Sequence, residues 1–261
     1  MIYNVIQPTA AKFEWGDETA IGDAEWWAGL KEWITGGTTL AERYACVGKK
    51  KLVSLSTAVL GANAATMVCI GVDRDGTGTM AFQTLGTLPN ATVFGSSAAW
   101  IGSTARTICQ RFYNRCSAKA SIKTVKKGTC PDTNINRQGK VTYTNETVWL
   151  PSAFEMGAYD SWPPISESNS TKTNAECTYG FKNKYGYYSN NFGQRAIKYK
   201  MNAKGAVTTT IAYSYWLRSR CYDPSYSNQV CIVFYEGEAY GGDIEPYDAS
   251  DIYLAPAFVI G

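Results

Sequence analysis

The sequence predicts an α+β domain made of short twisted sheets, one long helix and extensive loops. Short runs rich in β-branched and aromatic residues, bounded by Gly, Asn and Asp, indicate the strands. One extended helical pattern stands between residues 103 and 127, and long polar stretches separate the other elements. Short strands, a single long helix and many loops are typical of the α+β class.

An amphipathic helix is predicted near the start of the chain, and Gly36-Gly37 ends its pattern. Its apolar residues recur at helical spacing: Trp26, Trp27, Leu30, Trp33 and Ile34. This spacing is typical of core packing, and docking on a larger assembly is the alternative. Residues 1–40 are therefore treated as an N-terminal segment and candidate anchor, and residues 41–261 as the ligand-binding domain.

Three strands are predicted over residues 51–56, 67–72 and 79–84, with a turn through Gly61-Ala62-Asn63. The tetrapeptide Asp73-Arg74-Asp75-Gly76 is similar to the start of a calcium loop. However, no Glu follows at the spacing that such a loop requires. A hairpin turn is therefore predicted between the second and third strands.

The best helix pattern covers residues 103–127, with Ser103 or Thr104 as N-cap. Its apolar stripe consists of Ile108, Phe112, Cys116 and Ala120. Basic residues run from Arg106 to Lys140 against Asp132 alone, and they are predicted to form the solvated face of this helix. Nucleic-acid binding is disfavoured, because the sequence pI is modest and no stacking array accompanies the basic run.

The second half of the chain is predicted to be mainly short strands and loops. Residues 147–151 read as a short buried strand, and Ser152 with Glu155 forms a capping box that starts a helical turn. Residues 229–235 are predicted to pair with residues 238–240, and residues 255–260 form a final strand. The polar stretch 159–191 is a long irregular region.

The amino-acid composition favours binding functions over His-dependent catalysis and metal binding. The chain has 18 Tyr and 8 Trp but no His, so aromatic contact area is abundant while the commonest general base and transition-metal ligand are missing. Its eight Cys form no Cys-x-x-Cys pair, and no signal peptide is predicted at the first eleven residues. Mostly free, buried thiols are therefore expected, as in a virion protein made in a bacterial cytoplasm.

Three blocks carry a family resemblance: Val148–Ser152 with Phe154-Glu155, Tyr215–Ser219, and Ala255–Ile260. They resemble a domain-of-unknown-function family of gut bacteria and their phages, over roughly residues 26–261. That family is similar to the C-type-lectin fold variant shared by formylglycine-generating enzymes and the variable proteins of diversity-generating retroelements. The resemblance implies a C-type-lectin-like fold of the formylglycine-generating-enzyme type.

In those variable proteins the C-terminal segment is rewritten at adenine-containing codons, mostly Asn codons. The accessible replacements include Tyr, Asp, Ser and Asn but not Glu, Lys, Gln or Trp. Residues 222–251 are rich in the accessible set, and no basic residue follows Arg220. Trp149, Trp216 and Arg218 are interpreted as buried scaffold around this display surface. The predicted ligand-binding residues are Tyr222, Asp223, Tyr226, Asn228, Tyr235, Tyr240, Asp243, Tyr247, Asp248 and Asp251.

These observations predict a non-catalytic binding protein, a phage receptor-binding or head or tail decoration (fiber) protein that recognises a bacterial surface glycan or protein. It is expected on the virion surface, or alternatively on a bacterial surface or outside the cell. Other virion proteins and a homo-oligomer are expected partners; nucleic acid and membrane insertion are not. The acidic display surface favours a ligand of positive or carbohydrate character.

Three alternatives stay open at this point. The chain could be a purely structural capsid or tail component. It could be a formylglycine-generating-type enzyme, in which Cys221 and Cys231 would be the pair that holds copper(I). Asp243, Asp248 and Asp251 could bind Ca²⁺, although no recognisable ligand spacing supports this. No metal or cofactor is predicted.

Overall fold

The computed structural model describes residues 13–129, 142–156, 185–189, 195–220, 228–237 and 244–261. Its helices are α1 (Ala24–Thr35), α2 (Leu40–Tyr44), α3 (Thr104–Arg115), α4 (Ala153–Met156) and α5 (Gly186–Ser189). Its strands are β1 (Ile21–Gly22), β2 (Lys50–Val59), β3 (Ala62–Val72), β4 (Met80–Thr84), β5 (Val125–Thr129), β6 (Thr142–Glu146), β7 (Val148–Trp149), β8 (Tyr199–Met201), β9 (Val207–Ala212), β10 (Tyr215–Arg220), β11 (Gln229–Val233), β12 (Ile244–Pro246) and β13 (Ala257–Ile260). The mixed α+β class is confirmed.

A six-stranded sheet in the order β1-β2-β3-β4-β13-β7 forms the centre of the fold. β1 runs parallel to β2, and the other neighbouring strands are antiparallel. The turn between β2 and β3 passes through Leu60 and Gly61, which both have positive φ (46° and 84°), as tight hairpins require. The predicted strands over residues 51–56, 67–72, 79–84 and 255–260 are confirmed in this sheet.

Helix α1 packs on the central sheet. Asp23 caps it by accepting a hydrogen bond from the Trp26 backbone N–H at 2.8 Å, which satisfies one of the free donors of the first turn. The buried Trp27 ring lies 5.4 Å from the Phe82 ring and 5.6 Å from the Phe258 ring, both edge-on. The predicted helix is confirmed, and the docking role of residues 1–40 stays a prediction.

The predicted helix over residues 103–127 is wrong in its second half. Its start is confirmed, because the Ser103 hydroxyl accepts from the Arg106 N–H at 3.0 Å, but α3 ends at Arg115 and Cys116 is extended. α1 and α3 have twelve residues each, so the chain has no single long helix in its described part. Pairing with distant strands overrides the local helical pattern: Cys116 bridges Leu55, and Ile122 bridges Ile260.

Three smaller sheets surround the central one, β10-β11-β12, β5-β6 and β8-β9. β11 pairs with β12, from Gln229 opposite Pro246 to Cys231 opposite Ile244. The predicted pairing of β11 with residues 238–240 lies outside the described residues. Of the predicted irregular region 159–191, the structure describes residues 185–189, which contain α5.

None of the helices in the described ranges is long and apolar enough to cross a membrane. The expected free, buried thiols are confirmed for Cys46, Cys69, Cys109 and Cys116, and Cys231 is also buried. Burial raises the pKa of the Cys46, Cys69 and Cys109 thiols, and that of Cys116 to about 12. These thiols are therefore both inaccessible and protonated near neutral pH.

Thiol accessibility can be measured directly. In the native, pre-reduced protein, no more than three of the eight cysteines should react quickly with a chromogenic disulfide reagent. The five buried thiols should react only after unfolding in urea, because burial both blocks the reagent and suppresses the thiolate. Four or more fast-reacting thiols in the native protein would contradict the described burial.

Candidate functional site

The predicted display surface is attached to the three-stranded sheet β10-β11-β12. All six residues of β10 are buried, and so are four of the five in β11. Trp216 donates from its indole N–H to the Thr92 carbonyl at 2.9 Å, and its ring contacts Phe94. Trp149 and Trp216 are both fully buried, which confirms their interpretation as scaffold.

A buried carboxylate joins β10 to α4. Glu155 Oε2 accepts from Arg218 Nη1 at 3.1 Å and from the Ser152 N–H at 2.8 Å. The Ser152 hydroxyl accepts from the Glu155 N–H at 3.1 Å, so the predicted capping box is confirmed. Arg218 also donates to the Leu150 carbonyl at 2.7 Å. The prediction that Arg218 is a buried, paired structural residue is confirmed.

Lys127 adds a second cation to this buried group. Its ammonium lies 2.8 Å from Glu155 Oε1, 2.5 Å from Asp75 Oδ1 and 3.1 Å from the Tyr185 hydroxyl. The Tyr185 hydroxyl donates to Asp75 Oδ2 at 2.9 Å. We call these five residues (Asp75, Lys127, Glu155, Tyr185 and Arg218) the ion cluster. It encloses two cations and two carboxylates, whose charges compensate one another.

The ion cluster shows that the predicted exposure of Lys127 is wrong, and it explains why residue 71 is glycine. Lys127 was expected on the solvated face of a helix, but its side chain is fully buried on β5. The chain comes close together here: a Cβ on Gly71 would lie 2.8 Å from the Tyr185 ring. Only glycine gives Tyr185 the room to reach Asp75 and Lys127 without a shift of the surrounding residues.

The charges of the ion cluster hold Glu155 in its ionised form. Burial alone would raise the pKa of Glu155, but the charges of Arg218 and Lys127 and the hydrogen bonds lower it to about 2. Burial and the neighbouring carboxylates raise the pKa of Tyr185 well above its usual value. Tyr185 therefore remains a neutral donor to Asp75.

The tetrapeptide that is similar to a calcium loop forms a hairpin turn, as predicted. Asp73 has a positive φ of 53°, and its Oδ1 accepts from the Gly78 and Thr79 N–H groups at 2.8 and 3.0 Å. Its Oδ2 pairs with Arg43 at 2.7 Å. Since Asp75 belongs to the ion cluster, both carboxylates of this turn have partners inside the fold.

Four of the predicted ligand-binding residues lie towards one end of the β10-β11-β12 sheet. Asn228, Asp248 and Asp251 are exposed, and Tyr247 is partly buried. The Tyr247 N–H donates to the Asn228 carbonyl at 3.1 Å, and the Tyr247 carbonyl accepts from the Phe94 N–H at 2.9 Å. We call Asn228, Tyr247, Asp248 and Asp251 the turn end of the sheet.

Tyr235 lies at the opposite end of the sheet and is 46 % exposed. Strand β11 runs from the turn end to Val233, which pairs with Tyr215. At about 3.4 Å per residue, β11 separates Tyr235 from the turn end by roughly 15 Å. The remaining predicted ligand-binding residues lie outside the described residues: Tyr222, Asp223, Tyr226, Tyr240 and Asp243.

Negative charge gathers at the turn end. Burial and the nearby Asp251 carboxylate raise the pKa of Glu245 above its usual value. Asp248 adds a further exposed carboxylate. Within the described ranges, no three His, Cys, Asp or Glu side chains form a group that could hold a metal ion; Asp243 of the calcium alternative is not among the described residues.

The copper alternative required Cys221 beside Cys231. Cys231 lies in β11 and is buried, whereas Cys221 falls outside the described residues. The proximity of these two cysteines is therefore not described, and the copper alternative and the absence of catalysis both stay predictions.

A buried lysine beside this sheet is not predicted from the sequence. Lys198 is buried, and its ammonium donates to the Thr84 carbonyl at 2.5 Å, with the Tyr215 ring centre 5.7 Å away. Burial lowers the pKa of Lys198 to about 7, because the interior disfavours the charged form. Its sequence context, between Ile197 and Tyr199, is that of any strand lysine and gives no sign of burial.

Removal of the central carboxylate should destabilise the whole fold. Glu155→Gln should lower the free energy of unfolding by roughly 3 kcal/mol or more, because it leaves an uncompensated cation in the interior. Glu32→Gln, on the exposed side of α1, should change it by less than about 0.5 kcal/mol. Urea denaturation at pH 7 measures both.

The free energies of unfolding of wild type and Glu155→Gln should also respond differently to acid. The folded pKa of Glu155 lies below its ordinary 4.5, so its contribution is complete above that pH and is lost as the pH falls towards 2. The stability difference between wild type and Glu155→Gln should therefore shrink over this range. A difference that is independent of pH would contradict the ionised state of Glu155.

Lys198 should produce the opposite pH dependence. Its pKa is about 7 in the folded state against 10.5 ordinarily, so between these values the unfolded chain binds more protons and stability rises with pH. Lys198→Met should remove this rise, whose limiting slope is about 1.4 kcal/mol per pH unit. Urea denaturation from pH 6 to 10, with the exposed Lys204→Met as control, measures the difference; parallel curves would contradict the assignment.

Comparison with curated proteins and with solved structures gives no significant match. A comparison with protein-family models does, and the match covers residues 89–260, from just after β4 to the end of β13. This range includes α3, the β10-β11-β12 sheet, the turn end and most of the ion cluster. The resemblance to a domain family of unknown function is thereby confirmed in its coarse form: the chain belongs to the family described as Domain of unknown function (DUF6273).

Proposed function

We propose that the protein is a non-catalytic binding protein with a C-type-lectin-like fold of the formylglycine-generating-enzyme type. Its role would be that of a phage receptor-binding or head or tail decoration protein that recognises a bacterial surface glycan or protein. The observation that carries this proposal is the contrast between the buried strands β10 and β11 and the exposed residues beside them, Asn228, Tyr235, Asp248 and Asp251. Several short sheets joined by long connections are compatible with the proposed fold.

Side-chain hydrogen bonds fix β10, the strand that supports these exposed residues. Arg218, in the middle of β10, is held through Glu155 and the Leu150 carbonyl, and the neighbouring Ser219 hydroxyl accepts from the Ala153 N–H at 3.1 Å. The turn end itself is fixed through the backbone hydrogen bonds of Tyr247. A surface whose backbone is already fixed loses little conformational entropy on binding, and this favours recognition.

The distribution of residue types supports diversification of this surface by a retroelement. The described Tyr, Asp, Ser and Asn residues between 222 and 251 are all exposed or partly exposed: Asn228, Tyr235, Tyr247, Asp248, Ser250 and Asp251. The intervening residues Val230 to Val233 are buried. Under this proposal, replacement at the exposed positions changes the ligand and leaves the core intact.

The charge of the turn end favours a particular kind of ligand. Glu245 lies near Asp251, and Asp248 is a further exposed carboxylate between them in the sequence. Arg220, the last basic residue of the sequence, is buried. A negative surface attracts partners that carry positive charge and repels anionic ones. Cationic proteins, or glycans with free amino groups, are therefore the proposed ligands of the turn end.

Cell binding tests this proposal. Fluorescently labelled protein should bind a subset of a panel of gut bacterial isolates. The triple variant Asn228→Ala, Asp248→Ala, Asp251→Ala should lose at least tenfold in affinity, because it removes two carboxylates and one amide from the turn end. Its thermal midpoint should stay within about 2 °C of wild type, since exposed substitutions cost little.

A matched triple variant controls for charge and side-chain loss elsewhere. Asn114→Ala, Glu25→Ala, Glu32→Ala removes the same types of group from exposed positions of α1 and α3, and it should bind cells as wild type does. The proposal is wrong if no isolate binds the protein. The turn end is wrongly assigned if the first triple variant binds normally.

A further inference from the structure

A second surface, on the β8-β9 hairpin, combines aromatic rings with one cation. The Tyr213 and Tyr253 rings lie 4.7 Å apart, and the Lys200 ammonium is 5.6 Å from the first ring and 5.5 Å from the second. Tyr199 pairs with Ala212, so Lys200 and Ile211 each directly adjoin a residue of the same pair in the hairpin. Ile211 is 64 % exposed. We call Lys200, Ile211, Tyr213 and Tyr253 the Lys200 patch.

The backbone beneath the Lys200 patch is fixed on several sides. Thr87 forms backbone hydrogen bonds to the residues on both sides of Lys200. The Met201 N–H donates to the Thr87 carbonyl, and the Thr87 N–H donates to the Tyr199 carbonyl, both at 3.0 Å. The Tyr213 N–H donates to the Lys198 carbonyl at 3.0 Å, and the Tyr253 N–H to the Ser214 carbonyl at 3.1 Å. The rings and the ammonium are therefore held in one arrangement before any ligand arrives.

The charge around the Lys200 patch is uncompensated. Within the described ranges, no carboxylate lies within ion-pair distance of Lys200; the ion pairs found there involve other residues. The hairpin itself, residues 199–212, contains Lys200 and Lys204 and no Asp or Glu. Lys200 is only partly buried, so its ammonium can reach a ligand, and the patch attracts anions.

We propose that the Lys200 patch binds a carboxylated glycan, such as a polyuronate. The apolar face of a sugar ring stacks on the Tyr213 and Tyr253 rings beside Ile211, and the sugar carboxylate pairs with the Lys200 ammonium. A neutral sugar would leave the cation unused, and an anionic peptide would leave the aromatic surface without a matching ring. This site differs from the turn end in position and in the sign of its charge, and it does not depend on the function proposed above.

Affinity electrophoresis of the full chain tests this inference. Polygalacturonate in the gel should retard the wild-type protein, and the same polymer after reduction of its carboxyl groups should retard it much less. Lys200→Gln should weaken binding at least tenfold, and so should Tyr213→Ala with Tyr253→Ala. Binding should also weaken as salt is added, because it depends on an ion pair at the surface.

Lys204→Gln is the matched control, since Lys204 is exposed in the turn of the same hairpin and its loss changes the net charge equally. It should bind as wild type does, and thermal melting should show all variants folded. Equal losses in Lys200→Gln and Lys204→Gln, equal retardation by polyglutamate, or no retardation by polygalacturonate would each overturn the inference. The turn-end triple variant should retain polygalacturonate binding, so failure of one proposal does not conceal the other.

Discussion

The ion cluster is the constraint on which the rest of the structure depends. Ions taken out of water are tolerated only when partners compensate them, and here the partners come from four separate parts of the chain. Lys127 comes from β5, Asp75 from the β3-β4 turn, Glu155 from α4 and Arg218 from β10. These segments must therefore meet in one mutual arrangement. The position of β10, which supports the turn end, follows from that arrangement.

Two surfaces of opposite charge rest on this common support. The turn end extends from β11 and β12 and carries carboxylates, whereas the Lys200 patch extends from β8 and β9 and carries a cation. The two surfaces adjoin along the chain, because Asp251 and Tyr253 are two residues apart, and the Tyr253 carbonyl accepts from the Trp216 N–H of β10 at 3.0 Å. β10 is thus adjacent to both surfaces. Because it is buried, substitutions at either surface leave its core contacts in place.

Local patterns were sufficient to predict the strands of the central sheet other than β1, and the caps of α3 and α4. The capping box of Ser152 and Glu155, the turn at Asp73 and the burial of Trp149 and Trp216 all follow from residue type and spacing within a few positions. Arg218 could be predicted as buried and paired because it stands in an apolar aromatic strand. In each case the deciding physics is local, so the sequence contains the signal.

The features that sequence analysis missed depend on distant partners. Lys127 lies in a basic run that indicates a solvated helix, and only the approach of Asp75 and Glu155 makes its burial favourable. Lys198 is buried because β8 docks beside Thr84, far away in the chain. The Lys200 patch needs Tyr213 and Tyr253, which lie in separate elements, to come together. No spacing rule along one segment contains this information.

Strand β13 comes last in the chain but pairs on both sides within the sheet, and this affects the order in which the chain folds. This strand lies between β4 and β7, and Gln83 donates to the Ala255 carbonyl across 172 residues. The hairpins β2-β3 and β3-β4 can form early from local contacts. Until β13 is in place, the other edge of β4 stays open. Contacts of such long range slow folding, because the entropy of loop closure is lost before the pairing is gained. β13 and the neighbouring edge strand β7 are therefore expected to join the sheet late, and the open edge of β4 is the point at which an incomplete chain would pair with the wrong strand.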